Sequence, residues 1–163
     1  MPQRTVAKLR STLPLVTAPG DPALSLYTIS SRAVRRLGAV PGASGVDDAT
    51  WSPDASALVA HAQKEMTREL WIFPADRSAP KMLTNGKSED SHPRWSPVNA
   101  DEILFLRDHR RLCVISVSTG RIRELPFRMD GTYFLDYPSW SRDGKRVFFS
   151  IHKKSGNIYV IER

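Results

Sequence analysis

Four histidines and one cysteine are the side chains of this chain best suited to bind a metal or act as a nucleophile. The histidines are His61, His92, His109 and His152, and the cysteine is Cys113. No two histidines have the short spacing that zinc sites commonly use. The sequence also lacks a Gly-x-Ser-x-Gly elbow and a glycine-rich phosphate loop. We therefore predict no catalytic residue, no metal and no cofactor, with the histidines on the surface or at strand ends and Cys113 packed as an inert thiol.

The composition is typical of a folded globular domain, with 40% apolar and 25% charged residues. The net charge of +7 permits binding to nucleic acid, but acids are interleaved with the bases and disfavour that partner. No apolar run approaches the roughly 20 residues that a membrane-spanning helix needs. The N-terminus does not form a convincing signal peptide. We expect a cytoplasmic protein, or a periplasmic one if the N-terminus is truncated.

A tryptophan followed by serine recurs at a nearly constant interval and indicates an array of similar units. Trp51, Trp95 and Trp140 lie 44 and then 45 residues apart. An acidic loop precedes each tryptophan, and a turn and an apolar run follow it. A period of this size is typical of repeat architectures in which each unit packs on its neighbours.

The repeats align into rows of short strands and contain no helical periodicity of useful length. Second strands are predicted at 13–18, 57–62, 103–106 and 147–151, third strands at 24–29, 69–73, 111–117 and 157–161, and fourth strands at 32–37, 81–84 and 121–125. The middle rows are almost continuously apolar, which favours strands covered on both faces. The fourth row mixes apolar with charged residues, as an outer strand does. The chain is predicted to be all-β.

The motif around each tryptophan resembles the TolB-type, WD-like β-propeller repeat over residues 24–163. The copies are Trp51-Ser52-Pro53-Asp54, Trp95-Ser96-Pro97 and Trp140-Ser141-Arg142-Asp143-Gly144. The resemblance implies four-stranded blades in which each tryptophan fills the wedge between neighbours. We expect the three tryptophans to occupy equivalent, largely buried sites, and Asp54 and Asp143 to cap the turns that follow.

The resemblance also implies one β-propeller domain, residues 1–163, with about four blades at 4–40, 41–84, 85–127 and 128–163. Because the last copy stops before an outer strand, the ring is expected to be incomplete or open. Residues 4–9 would supply either a closing outer strand or a first inner strand. Such a ring favours self-association or a partner that completes it.

Function is expected to lie in the loops rather than in the repeated tryptophans, because loops on a rigid scaffold carry binding sites. The resemblance implies a non-enzymatic module that binds a protein partner of unknown identity, as a scaffold or sensor. The alternative is an accessory or remnant substrate-gating propeller of a prolyl oligopeptidase-like peptidase. In a propeller, acids would lie near the central channel and bases toward the rim. The candidate partner-binding residues are Asp47, Asp90, His92, Asp136, Arg107, His109 and Arg110.

Overall fold

The computed structural model describes residues 12–16, 22–127, 133–153 and 158–159, and all regular structure in these ranges is β-strand. No helix in them is long and apolar enough to cross a membrane. The strands are β1 (Thr12–Val16), β2 (Ala23–Thr28), β3 (Ala33–Ala39), β4 (Gly45–Trp51), β5 (Ala57–Lys64), β6 (Thr67–Pro74), β7 (Lys81–Met82), β8 (Asp90–Trp95), β9 (Glu102–Arg107), β10 (Arg111–Ser116), β11 (Ile122–Glu124), β12 (Tyr133–Trp140), β13 (Val147–Lys153) and β14 (Ile158–Tyr159). The predicted second, third and fourth strands are confirmed to within a few residues.

The strands form four antiparallel sheets, each made of strands consecutive in the chain. Their orders are β1-β2-β3, β4-β5-β6-β7, β8-β9-β10-β11 and β12-β13-β14. Short hairpins suffice for this topology because every strand pairs with its neighbour in sequence. Residues 4–9 lie outside the described residues, so the prediction for that segment stays a prediction.

Each sheet packs face to face on the next, and the three cores lie between successive sheets. Strand β9 shows the arrangement: Ile103 and Phe105 face the second sheet, whereas Leu104 and Leu106 face the fourth. The first core joins Leu24 and Leu26 to residues of the second sheet. A strand covered on both faces has no solvated side, which explains the apolar runs in the middle rows.

Cys113 belongs to the core between the second and third sheets and is 2% exposed. Burial raises the pKa of its thiol to about 11. The thiol therefore stays protonated and unreactive at neutral pH, in agreement with its predicted packing role.

The three tryptophans occupy equivalent positions at the ends of the inner strands β4, β8 and β12. Trp51 pairs with Leu58, Trp95 with Ile103 and Trp140 with Val147. The prediction that they are largely buried is confirmed: each packs against the edge of a core, and only part of its indole is exposed. Each tryptophan is the last residue of its strand, where the sheet ends, and part of the indole therefore reaches solvent.

The serine after each tryptophan organises the turn into the second strand. Ser52 Oγ donates to Asp54 Oδ1 at 2.6 Å, and the amide of Ser56 donates to the same carboxylate at 3.1 Å. In the fourth sheet, Ser141 Oγ donates to Asp143 Oδ1 at 2.6 Å. The predicted caps at Asp54 and Asp143 are thus confirmed, and the hydrogen bond from Ser52 lowers the pKa of Asp54.

Gly144 is the position in these turns where a side chain has no room. Its φ is +70°, and an added Cβ would lie 2.5 Å from Val98 Cγ2 of the third sheet. We expect Gly144→Ala to lower the free energy of unfolding by about 2 kcal/mol, measured by urea denaturation. Gly120→Ala is the control, because Gly120 has a φ of +69° with nothing within 4 Å. It should cost about 1 kcal/mol, since only the backbone strain remains.

The excess cost at Gly144 should disappear when Gly144→Ala is made in a Val98→Ala background. An equal loss for Gly120→Ala and Gly144→Ala would contradict the contact between the third and fourth sheets.

Candidate functional site

A β-bulge interrupts each inner strand three residues before its tryptophan. The strand register shifts between residues 47 and 50 in β4, between 91 and 94 in β8, and between 136 and 139 in β12. The residue three positions before the tryptophan has a positive φ of 57° at Asp48, 53° at His92 and 50° at Tyr137. Residues other than glycine adopt this conformation at a cost of roughly 1–3 kcal/mol, and such positions concentrate at functional sites. The three bulges therefore mark one face of the molecule as a candidate site.

Two imidazoles and one carboxylate converge at this face. His92 lies in the β8 bulge, His109 in the turn between β9 and β10, and Asp136 directly before the β12 bulge. His92 Nε2 is 3.7 Å and His109 Nδ1 is 3.5 Å from Asp136 Oδ1. One nitrogen or oxygen from each of the three side chains lies within 4.8 Å of the others. A metal ion could occupy such an arrangement.

The turn that carries His109 is fixed to the fourth sheet and to the start of β8 in its own sheet. The amide of Leu135 donates to the His109 carbonyl at 2.7 Å, which ties the turn to β12. The amide of Asp108 donates to the Glu89 carbonyl at 2.8 Å, and the Glu89 amide donates to Asp108 Oδ1 at 3.1 Å. Backbone bonds at both ends hold the imidazole without help from a ligand.

The ring nitrogens of His92 and His109 that point away from Asp136 also have polar neighbours. His109 Nε2 lies 3.3 Å from Glu89 Oε1 and 3.1 Å from Arg68 Nη1. His92 Nδ1 lies 3.2 Å from Ser91 Oγ. The ring of His92 contacts the ring of Tyr137 edge-on at 5.5 Å between centroids. Tyr137 itself is 63% exposed, so an aromatic ring is presented to solvent beside the polar cluster.

Unsatisfied polar atoms collect around this cluster. Within the part of the chain whose side chains the structure describes, His61 Nδ1, His152 Nε2 and Asp48 Oδ2 are buried and have no hydrogen-bond partner. His152 Nε2 is 3.5 Å from Asp136 Oδ2, and the His61 ring is 6.2 Å from the His92 ring. Buried polar atoms are normally paired with protein or water, so these atoms can accept a hydrogen bond from water or from a ligand.

Burial keeps two of the histidines neutral. It lowers the pKa of His61 to about 4, helped by the positive charge of Arg68. Burial also lowers the pKa of His92, although the carboxylates of Asp48 and Asp136 oppose the change. Both imidazoles are therefore mainly uncharged at neutral pH, with one nitrogen lone pair free to accept a proton or bind a ligand.

Ion pairs between neighbouring strands and sheets surround the cluster. Arg107 Nε and Nη2 donate to the two carboxylate oxygens of Asp90 at 2.8 and 2.9 Å, and Asp90 is 1% exposed. Arg94 of the third sheet reaches Asp48 of the second at 2.7 Å. Long arginine side chains thus extend to the carboxylates. That acids lie near the channel and bases toward the rim stays a prediction.

Comparisons with known proteins place these features in a family of folds. No protein-family model matches the chain. A stretch of 76 residues, 47% of the chain, is 34% identical to the Tol-Pal system protein TolB of Anaeromyxobacter dehalogenans and covers 17% of that protein. A structure assigned as TolB from Agrobacterium tumefaciens matches with a TM-score of 0.67 at 20% identity, over 88% of this chain and 55% of the other. The chain has a TolB-like β-propeller fold.

A second structure shares the TolB-like fold and differs in activity. An oligogalacturonate lyase in complex with manganese matches with a TM-score of 0.65 at 20% identity, over 86% of this chain and 42% of that protein. The chain thus spans about half or less of the length of these solved structures, and 17% of the length of its sequence relative. At this level of identity the solved structures show the fold alone.

The predicted partner-binding residues of this TolB-like propeller fall into separate groups in the structure. His92, His109 and Asp136 meet in one cluster. Asp90 and Arg107 form a pair, and the guanidinium of Arg110 lies 5.4 Å from the centre of the Phe134 ring. Asp47 is exposed in β4 opposite His61. Whether they bind a partner stays a prediction.

The placement of the histidines differs most from the sequence-based interpretation. They were expected at strand ends or on the surface, yet His61 lies within β5 and is 8% exposed. Sequence spacing does not reveal the cluster of His92, His109 and Asp136, because these residues come from distant positions that the fold brings together. The absence of a metal stays a prediction.

Six further residues in or beside the cluster were not among the predicted partner-binding residues: Asp48, Arg68, Glu89, Arg94, Tyr137 and His152. The signal that could have found some of them is the offset from the tryptophan, because Asp48, His92 and Tyr137 each stand three residues before it.

Proposed function

We propose that this TolB-like propeller is a non-enzymatic module that binds a protein partner. The binding surface is the bulge face, defined as Asp48, His92, His109, Asp136 and Tyr137. The observation that carries the proposal is the repetition of a strained bulge in three successive inner strands. Backbone strain kept at one face by a rigid scaffold favours a binding role there.

The chemistry of the bulge face fits a protein better than a nucleic acid. Arg94 holds Asp48 at 2.7 Å, and Arg68 holds Glu89 at 2.5 Å. These cations are neutralised within the protein and are poorly placed to bind phosphates. The exposed ring of Tyr137 is the kind of side chain that anchors protein interfaces. A partner with a hydrophobic pocket and both signs of charge would match it.

The sequence relative supports both the type of partner and the compartment. Its name places it in the Tol-Pal system, so we infer that a Pal-type protein is the first partner to test. The same relative favours the periplasmic alternative, and the expected cytoplasmic location has no support from the comparisons. A gating propeller of a peptidase is not favoured, because the matches reported above are to TolB proteins and to a lyase. The blade boundaries at 4–40, 41–84, 85–127 and 128–163, and self-association to complete the ring, remain part of the proposal.

The test is binding of the purified chain to the Pal protein encoded by the same genome, measured by biolayer interferometry. Tyr137→Ala should weaken binding about 10-fold or more, because it removes the exposed aromatic anchor. Phe148→Ala is the matched control: Phe148 is a 51% exposed aromatic residue of the same sheet and lies outside the bulge face. It should leave the affinity nearly unchanged.

Equal affinities of the Tyr137→Ala and Phe148→Ala variants would contradict the bulge face as the binding surface. Cleavage of oligogalacturonate by the purified chain, lost in a His109→Gln variant, would contradict the non-enzymatic role.

A further inference from the structure

We propose that His92, His109 and Asp136 bind one divalent transition-metal ion of the Zn²⁺ class. Two imidazole nitrogens and a carboxylate oxygen are ligands that zinc and related borderline ions prefer. Ligand atoms about 2.1 Å from a tetrahedral ion lie about 3.4 Å from one another. The two nitrogens stand 3.7 and 3.5 Å from Asp136 Oδ1, close to that separation.

The surroundings of both imidazoles match those of metal-binding histidines. Such histidines usually donate their second ring N–H to a carboxylate, carbonyl or hydroxyl group, which fixes the ring and its tautomer. Glu89 Oε1 stands 3.3 Å from the second nitrogen of His109, and Ser91 Oγ stands 3.2 Å from that of His92. Coordination through His109 Nδ1 puts the ring proton on Nε2, where Glu89 accepts it. Arg68 Nη1 lies 3.1 Å from the same Nε2 and can only donate, so it must turn away from the ring when the ion binds and keep its ion pair with Glu89.

The three ligands are held by backbone features that do not depend on the ion. His92 and His109 have positive φ values of 53° and 52°, and Asp136 directly precedes a bulge. The hydrogen bond from the Leu135 amide to the His109 carbonyl fixes the distance between two of the ligands. A preformed site loses little conformational freedom when the ion binds.

The imidazole of His152 lies on the other side of the Asp136 carboxylate. His152 Nε2 is buried without a hydrogen bond, 3.5 Å from Asp136 Oδ2. This places a third imidazole beside the carboxylate, on the oxygen that the ion does not take. Three protein ligands leave a further coordination position for water or for a group of a binding partner.

The test of this site uses the metal alone. Tag-free protein is treated with EDTA and then titrated with ZnCl₂ in a calorimeter. We expect saturable binding of one Zn²⁺ per chain. Glu89→Gln should weaken it by about 10–100-fold, the usual effect of removing a carboxylate behind a ligating histidine. His92→Gln, His109→Gln and Asp136→Asn should each weaken it further. Asp143→Asn, a carboxylate of the same sheet outside the cluster, should bind as tightly as the unchanged protein.

Weak binding at several sites, or equal Zn²⁺ affinity of the Asp136→Asn and Asp143→Asn variants, would overturn the proposal. If the ligand variants do not fold, the visible absorption spectrum of the unchanged protein loaded with Co²⁺ still tests the site. Intense visible absorption, displaced by one equivalent of Zn²⁺, is expected for an imidazole–carboxylate site. The weak spectrum of the hydrated ion would overturn the site. The titration uses no protein partner, so its failure would leave the proposed interaction untouched, and failure of Pal binding would leave the metal site untouched.

Discussion

Replacing Arg107 with leucine is expected to lower the free energy of unfolding by about 3–5 kcal/mol. Asp90 is 1% exposed, and Arg107 donates to both of its carboxylate oxygens, at 2.8 and 2.9 Å. Without the guanidinium, the carboxylate stays buried beside the cores with no opposite charge. The hydrogen bond to Asp90 also raises the pKa of Arg107. Urea denaturation followed by tryptophan fluorescence measures the loss.

Arg123→Leu provides the matched control in the same sheet. Arg123 Nη2 pairs with Glu102 Oε1 at 3.1 Å, but the two side chains are 54% and 30% exposed. Exposed ion pairs contribute about 0–1 kcal/mol to stability, so the free energy of unfolding of this variant should stay close to that of the unchanged protein. Adding Asp90→Asn to Arg107→Leu should recover part of the stability, because it removes the unpaired charge. Similar losses for Arg107→Leu and Arg123→Leu would contradict this account.

The fold was predictable because the repeating unit sets both the spacing of the strands along the sequence and which of their residues are buried. Each unit buries its sheet only by packing on the next, so the same pattern of apolar strands recurs at a nearly constant interval. Strand β9 lies between two cores and is apolar at four consecutive positions, 103–106, which the sequence shows directly. The position of each tryptophan at the end of an inner strand followed from the same register.

The positions of the charged groups were not predictable in the same way. Charge placement depends on side-chain reach: Arg94 crosses to Asp48 in the neighbouring sheet, and Arg68 reaches back to Glu89. Residue types at a loop position therefore do not show where their charged groups lie.

The cluster of His92, His109 and Asp136 was hidden because its geometry depends on the bulges. Glycine usually marks a positive φ, but Asp48, His92 and Tyr137 occupy these three positions. Without the bulges, the alternation of side chains along β8 does not predict that His92 faces Asp136 of the neighbouring sheet. The extra residue in each strand re-aims the side chain, and the sequence gives no turn signal for it.

Trp95→Ala is expected to lower the free energy of unfolding by about 3 kcal/mol, at the lower end of the range for large aromatic deletions, because part of the indole is exposed. The ring packs against the core that contains Val59 and Ile103, and Nε1 donates to the Ala100 carbonyl at 2.8 Å. For a domain of this size the melting temperature should fall by about 6–12 °C, measured by circular dichroism.

Phenylalanine variants separate the packing of Trp95 from its hydrogen bond. Trp95→Phe keeps most of the ring contact but loses the bond to Ala100, which should cost about 0.5–1.5 kcal/mol more than the same change at Trp51. Trp51 is the matched control, because its Nε1 has no hydrogen-bond partner. If Trp95→Ala melts within a degree of the unchanged protein, the tryptophan does not stabilise the contact between the second and third sheets. If the two phenylalanine variants are equally stable, the hydrogen bond to Ala100 contributes nothing, and the repeated tryptophan acts through packing alone.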